Sequence, residues 1–316
     1  MAAIRSNAAL VRGMCGNAAL YAVVKADGYG HGALMTAHAL KGIAGAFCVA
    51  TVDEGAALRI GGVTAPVLVF TPPLDNDDAL RLRAYDLVAT VADVRSARLC
   101  RGLAVHIKVN TGMNRYGCAP RQLPALLKEA ENCHVCGVYS HIYAPLCPKD
   151  TAEQLSAFRY CARLVKAKYP SAVAHFASTA GILLGGDYLF DAVRCGIGLY
   201  GYAPGGFTLP GLIPALKVYA KKVQTHAPVF GGGAGYMRAY TAYKSLSAYR
   251  AGYAEGFFRR VPLGVGAPCM DAFVSESDSD ELCIMSDAAE YAKLAGTIPY
   301  EVLCAVTKRS ERVYEN

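Results

Sequence analysis

Side chains able to do covalent or proton-transfer chemistry recur in this sequence at the ends of short β-prone runs. The first is Lys25, which closes Ala-Val-Val-Lys25 and precedes Ala-Asp-Gly-Tyr29-Gly-His-Gly. A lysine partly withdrawn from water holds its proton less tightly than the free amine, whose pKa is about 10.4. Such an amine condenses with a carbonyl to form a Schiff base, and the glycines behind it let the backbone approach a ligand closely. Taken alone, a lysine snorkelling from a rim above a glycine-rich turn explains the segment more simply. His106-Ile-Lys108-Val-Asn110-Thr-Gly-Met-Asn-Arg115 follows the same design. Lys108 and Asn110 share a strand face by the period of two, and Arg115 in the following loop can fork onto a carboxylate; an interior polar pair with a solvated arginine fits equally well. His141, after Ser140, reads either as a group that orients a neighbour by a hydrogen bond or as an ordinary structural histidine. Thr179 and the backbone N–H groups of Gly196 and Ile197 suit a phosphate, although the glycines also fit plain turn chemistry. Arg194 is harder to set aside. It lies within Ala-Val-Arg194-Cys, and a buried guanidinium needs partners.

The elements that must position these groups can be read from the hydrophobic pattern. Eight β-prone runs (20–25, 46–51, 66–70, 87–91, 104–110, 135–141, 174–178 and 191–198) alternate with helical patterns such as 32–41, 53–60, 120–131 and 152–168. Continuously apolar strands joined by helical crossovers predict a parallel sheet covered on both faces. Eight such units in about 200 residues predict a (β/α)8 barrel, whose chemistry gathers at the C-terminal ends of the strands. The alternative, an open doubly wound sheet, would carry a G-x-G-x-x-G after a strand, and none is present. From Gly201 onward Pro and Gly punctuate the chain, and short β-prone pieces follow at 216–225, 248–252, 273–275 and 302–307. The expectation is a smaller, mostly β domain. The predicted division is residues 1–205 for the barrel and 206–316 for the β domain.

Composition narrows the function classes. The chain has 316 residues, 53% hydrophobic and 18% charged, which excludes a disordered protein and permits a large core. The net charge of +7 is spread thinly, which argues against nucleic acid as a partner and accommodates an anionic cofactor or substrate. Twelve cysteines are irregularly spaced, and the one C-x-x-C pair, Cys133 and Cys136, has no matching second pair. No metal site is expected; buried thiols in a reducing compartment are. The uncharged run 195–216 has the length of a membrane span, but Pro204, Pro210, Pro214 and six glycines break it. The N-terminus carries no signal-peptide pattern, and a soluble, cytoplasmic protein without membrane partners is expected. A strand-end lysine, a phosphate cradle after strands seven and eight and an inward arginine together suit pyridoxal 5′-phosphate.

The motifs AVVKADGYGHG, HIKVNTGMNRYG, SHIYAP, DAVRCGIGLYG, AGYAEGF, CMDAF and GTIPYEV resemble, in order and combination, the fold-type III alanine racemases, over nearly the whole chain. The resemblance implies a homodimer with a composite active site, each protomer an N-terminal barrel with a C-terminal β domain, and pyridoxal 5′-phosphate as cofactor. It implies that Lys25 holds the cofactor aldehyde. Tyr29, Thr179, Gly196, Ile197 and Tyr300 fall at phosphate-binding positions, Arg194 faces the pyridine nitrogen and His141 lies beside it. Arg115 and Met270 match groups around the substrate carboxylate, and Lys108 matches a lysine that is carbamylated in many members. Tyr236 is the second base, supplied by the partner subunit, and Tyr253 gates substrate entry. The implied activity is two-base interconversion of L- and D-alanine, which supplies D-alanine for peptidoglycan. A serine or broad-specificity racemase shares every one of these residues. A truncated cofactor-binding homologue with little activity is a further alternative, and a decarboxylase on the same fold another. Departures from the family pattern are Asn110 for the usual Asp, Ser178 for the usual Asn, Gly-Ala-Pro before Cys269, the absence of a strand ahead of the first helix, and short stretches after Tyr253 and Met270.

Overall fold

The computed structural model describes residues 1–229, 231–236 and 244–315. Two compact units emerge, one formed by Met1–Gly28 and Ala33–Ile213 and the other by Tyr29–Gly32 and Pro214–Asn316.

The first unit is the expected barrel. Its strands are β1 (Ala19–Val23), β2 (Ala46–Val49), β3 (Val67–Val69), β4 (Ala89–Val91), β5 (Ala104–Lys108), β6 (His134–Tyr139), β7 (Val173–His175) and β8 (Ala192–Cys195). All the pairings are parallel, in the order β3-β2-β1-β8-β7-β6-β5-β4. Closure comes from a parallel bridge between Leu68 and Val88, where Val69 N–H donates to Val88 O and Val88 N–H to Val67 O, both at 2.9 Å. A closed barrel leaves no strand edge unpaired. Helices cover the outside, and their ends follow local chemistry. Thr51 caps Val52–Ile60 in a capping box with Glu54, and Asp75 and Asp93 cap Asn76–Ala84 and Val94–Leu99. Each carboxylate or hydroxyl satisfies an N–H that the first turn leaves without a partner. The 21-residue helix Pro148–Lys168 opens on Pro148, whose missing N–H is not needed there. The strands are buried along almost their whole length, as a sheet covered on both faces requires.

The second unit holds an antiparallel sheet in the order β11-β10-β9-β12, from β9 (Val218–His226), β10 (Leu246–Tyr249), β11 (Phe273–Ser275) and β12 (Glu281–Met285). Tyr249 and Phe273 stack in its core at 5.3 Å. The sequence expectation needs one correction here: 302–307 is not a strand. Pro299–Ala305 is a helix, with Pro299 in its first turn, and it follows a second helix, Ala288–Ala295, that ends on left-handed Gly296. The apolar run Val-Leu-Cys-Ala-Val reads as either type by composition; the flanking Gly and Pro set the helix ends. Among the described residues no helix is long and apolar enough to cross a membrane; the run 195–216 is the end of β8, a 3-10 turn and loop.

Candidate active site

Lys25 leaves β1 directly into an unusual backbone. Ala26 (φ 53, ψ 49), Asp27 (51, 49) and Gly28 (63, 40) form a left-handed turn, and Tyr29 continues it at φ 52. Each non-glycine residue in that conformation costs about 1–2 kcal/mol, so other contacts must hold it. Gly28 N–H donates to Val24 O at 2.8 Å. Ala26 N–H donates to Glu54 Oε1 at 2.7 Å, and Ala33 N–H to Asp27 Oδ1 at 2.8 Å. The other Glu54 oxygen takes Ala50 N–H at 2.7 Å. One carboxylate thereby ties the loops after β1 and β2 together and fixes the half-buried lysine at the C-terminal face of the barrel. Backbone strain held this firmly is a feature of functional sites.

Arg194 on β8 is buried and finds the partners its position demands. Nη1 donates to His175 Nδ1 at 2.6 Å and to His175 O at 2.9 Å; Nη2 donates to Ser140 O at 2.6 Å and Phe176 O at 3.1 Å. A guanidinium has five donors, so among the described residues only Nε–H is left without an acceptor. Burial pulls Arg194 down to about 10, which leaves it charged at neutral pH. The sequence reading missed His175, the histidine that takes the Arg194 bond. Its signal was its place in the seventh apolar strand, on the inward period. His141 follows β6, and burial, then Arg194, Lys108, Arg115 and Lys25, holds it well below the usual imidazole value, and thus neutral.

Lys108, at the end of β5, is buried with Nζ 3.2 Å from Val109 O and 3.5 Å from Ser140 Oγ. Burial first, then the Arg194 and Arg115 charges, lowers its pKa well below the usual lysine value. Ser140 Oγ lies 2.7 Å from Thr111 Oγ1, to which Gln154 Nε2 donates at 3.0 Å. The same Gln154 donates to His141 O at 3.1 Å and accepts Tyr143 N–H at 3.1 Å. A buried amide on the long helix thus joins the loops after β5 and β6, another role the sequence did not disclose. Arg115 stands exposed in the first of these loops beside the Tyr116 ring, and Asn110 accepts the N–H groups of Gly112 and Asn114, shaping that loop.

After β7 and β8 the cradle residues converge. Thr179 is buried and its Oγ1 accepts Gly196 N–H at 3.3 Å. Ile197 opens the 3-10 turn Ile197–Tyr200 immediately beyond. Lys25, His141, Thr179, Arg194, Gly196 and Ile197 therefore all sit at or just past the C-terminal strand ends of the barrel unit, as does Lys108.

In the second unit Tyr29 and Tyr300 meet with ring centroids 6.1 Å apart. Gly30 makes that approach possible: its φ is +81, and a Cβ there would stand 2.3 Å from Leu303 O on the helix that bears Tyr300. Arg312 Nε donates to Gly30 O at 2.9 Å. Tyr253 and Met270 lie on adjoining backbone, Tyr253 N–H donating to Cys269 O and Ala254 N–H to Met270 O. Tyr236 is 76% exposed, and residues 237–240 that follow it lie outside the described residues.

Residues 1–204 match the family model described as "Alanine racemase, N-terminal domain". The chain is similar to the alanine racemase of Mycobacterium bovis, with 34% identity covering 99% of this chain and 94% of the relative. It is also similar to that of Prochlorococcus marinus, at 31% identity over 98% and 93%. Among solved structures, alanine racemase from Clostridium difficile 630 superposes with a TM-score of 0.90 at 26% identity, covering 100% of this chain and 94% of that one. The Streptomyces coelicolor A3(2) enzyme gives 0.83 at 29% identity over 100% and 96%. This chain belongs to the alanine racemase family.

Proposed function

We propose that this protein interconverts L- and D-alanine with pyridoxal 5′-phosphate, supplying D-alanine for cell-wall synthesis. The observation that carries the reading is Arg194: both Nη groups are committed to barrel acceptors, so a single Nε–H is left for an outside acceptor. That donor, fixed on a buried cation, fits a pyridine nitrogen and would keep it from taking a proton. Lys25 fits the aldehyde. Thr179, Gly196, Ile197, Tyr29 and Tyr300 would hold the phosphate, and His141 would lie beside Arg194. When bound, the cofactor would supply an aldehyde for the substrate amine and a ring able to accept negative charge from Cα.

The chain's own residues then have proton work to do. Lys25 Nζ and the Tyr236 phenol of a second copy would stand on opposite faces of the substrate Cα, one removing a proton and the other returning one, which inverts the centre. Both free groups hold protons too tightly for this at neutral pH, so both must be tuned. Arg115 and Met270 would receive the substrate carboxylate, and Tyr253 would gate entry. Burial, and then the Arg194 and Arg115 charges, favour the neutral amine of Lys108. Attack by that amine on carbon dioxide would form a carbamate and release a proton, leaving an anion able to orient Arg115.

The test is racemisation by the purified full-length protein with added cofactor, measured from L-alanine, D-alanine and L-serine. Inversion of alanine in both directions is expected, abolished by Lys25→Ala. Tyr236→Phe should suppress Cα–H exchange from one enantiomer far more than from the other. Absence of Cα–H exchange from either alanine enantiomer in the wild-type protein rules the activity out.

A further inference from the structure

Behind Arg194 the barrel interior holds two histidines in series. His175 Nδ1 accepts from Arg194, and His175 Nε2 lies 2.7 Å from His106 Nδ1. Both rings are buried. The direction of this chain follows from the donor inventory. A guanidinium only donates, so His175 Nδ1 carries no proton; a neutral imidazole then carries it on Nε2. That proton goes to His106 Nδ1, and His106 keeps its own on Nε2. The reverse polarity would require His175 to carry no proton at all, as a buried anion. Burial and the Arg194 charge, both of which lower the pKa of the two rings, favour the neutral forms.

The barrel is built around this arrangement. Odd strands contribute Tyr21, His106 and His175, and even strands contribute Thr90, Tyr139 and Arg194. Tyr139 stacks flat on His175 at 4.9 Å and 4°, and Tyr21 lies tilted against it at 5.4 Å. Thr90 Oγ1 anchors the Tyr139 hydroxyl at 2.8 Å. Opposite His106 on β6 stands Gly137, where a Cβ would lie 2.5 Å from the imidazole. The β5–β6 register slips at that point, between Val105 and His106. A strand glycine whose missing side chain is replaced by a neighbour's ring marks a close approach that the fold requires.

We propose that His106 is a positioning residue for the cofactor site: by accepting the Nε2–H that the Arg194 bond leaves on His175, it holds the His175 ring in place, and that ring holds Arg194 so that Nε–H is its single free donor among the described residues. The inference rests on the cofactor reading above and deepens it. Its test begins with the full-length protein free of cofactor, isotopically labelled, with proton–nitrogen correlations of the seven histidine rings assigned by single His→Gln variants. His106 and His175 are both expected as the Nε2–H tautomer and unchanged between pH 5 and 8. His106→Leu, which leaves the His175 Nε2–H without an acceptor, should shift and broaden the His175 Nε2–H signal and raise the dissociation constant for pyridoxal 5′-phosphate about ten-fold, as expected when a buried donor is orphaned. His106→Gln, whose amide oxygen accepts the same proton, should restore most of both. Gly137→Ala, which pushes the ring away, should reproduce the leucine phenotype and serves as the second variant if His106→Leu does not fold. An Nδ1–H tautomer of His175 in the wild-type spectrum, titration of either ring in that pH window, or an unchanged His175 Nε2–H signal and affinity in His106→Leu overturns the proposal. Wild-type protein that fails to bind the cofactor yet shows the expected tautomers refutes the cofactor reading and leaves the His106–His175 relay standing.

Discussion

Replacing Arg194 by methionine keeps an unbranched but shorter stem and removes every donor. Four hydrogen bonds disappear, those to His175 Nδ1, His175 O, Ser140 O and Phe176 O. His175 O retains a second, longer bond from Ser140 N–H at 3.4 Å, so the other three acceptors bear most of the loss. Orphaned buried acceptors cost about 1–3 kcal/mol each, whereas removing a buried cation recovers part of its desolvation cost. Three orphaned acceptors at that cost sum to about 3–9 kcal/mol, and the recovered desolvation brings the net expectation to a loss of about 3–5 kcal/mol. The assay is urea unfolding of cofactor-free protein at pH 7.5, followed by circular dichroism. With slopes of about 1–3 kcal/mol/M, the midpoint of the barrel transition should fall by at least about 1 M. Arg194→Lys retains the charge but has only three donors for four acceptors, and should fall between the two. A midpoint shift in Arg194→Met below about 0.3 M would refute the claim that this guanidinium organises the barrel interior.

Gln154→Ala should cost about 2–3 kcal/mol by leaving the Tyr143 N–H and the Thr111 and His141 groups without their partner. It should also raise KM for alanine more than it lowers kcat, because the loops after β5 and β6 lose a shared anchor; steady-state kinetics beside urea unfolding separate the two effects. The buried histidines predict acid sensitivity. His106 is pushed down to about 3 from the ordinary 6.5, and His141 and His175 are also pushed well below it. Below pH 6.5 the unfolded chain takes up protons that the folded chain refuses, so stability is full above that value and falls as pH drops toward 3, by at most about 1.4 kcal/mol per unit per histidine; equal urea midpoints at pH 7.5 and 5.5 would contradict this. Ala26→Gly should keep or slightly raise stability, whereas Ala26→Val should lower it by more than about 1 kcal/mol, since a β-branched residue tolerates the left-handed turn worst; equal melting temperatures for the two variants would count against the strained turn.

The barrel was legible in the sequence because each of its eight strands is an apolar run ended by a polar or glycine-rich stretch, and the observed strand ends fall within three residues of those runs. Arg194 was also legible, since an arginine between valine and cysteine in such a run must find buried partners. The partners themselves were not. His175 sits nineteen residues from Arg194 and His106 sixty-nine from His175, and only closure of the barrel brings their rings together. Glu54 reads locally as a helix cap, and its second role, holding Ala26 N–H, depends on the adjacency of β1 and β2. Gln154 looks like any polar residue of an amphipathic helix until the loops fold over it. In the second unit, the helix Pro299–Ala305 was misread as a strand because a short apolar run has no period of its own.

The central claim is that Lys25 covalently holds pyridoxal 5′-phosphate. Borohydride reduction of the cofactor-loaded protein, followed by peptide mass mapping, tests it directly. A pyridoxyl group on the peptide that contains Lys25, absent from Lys25→Ala, is the expected result. A label on another lysine, or no label on a protein that binds the cofactor, would contradict the account.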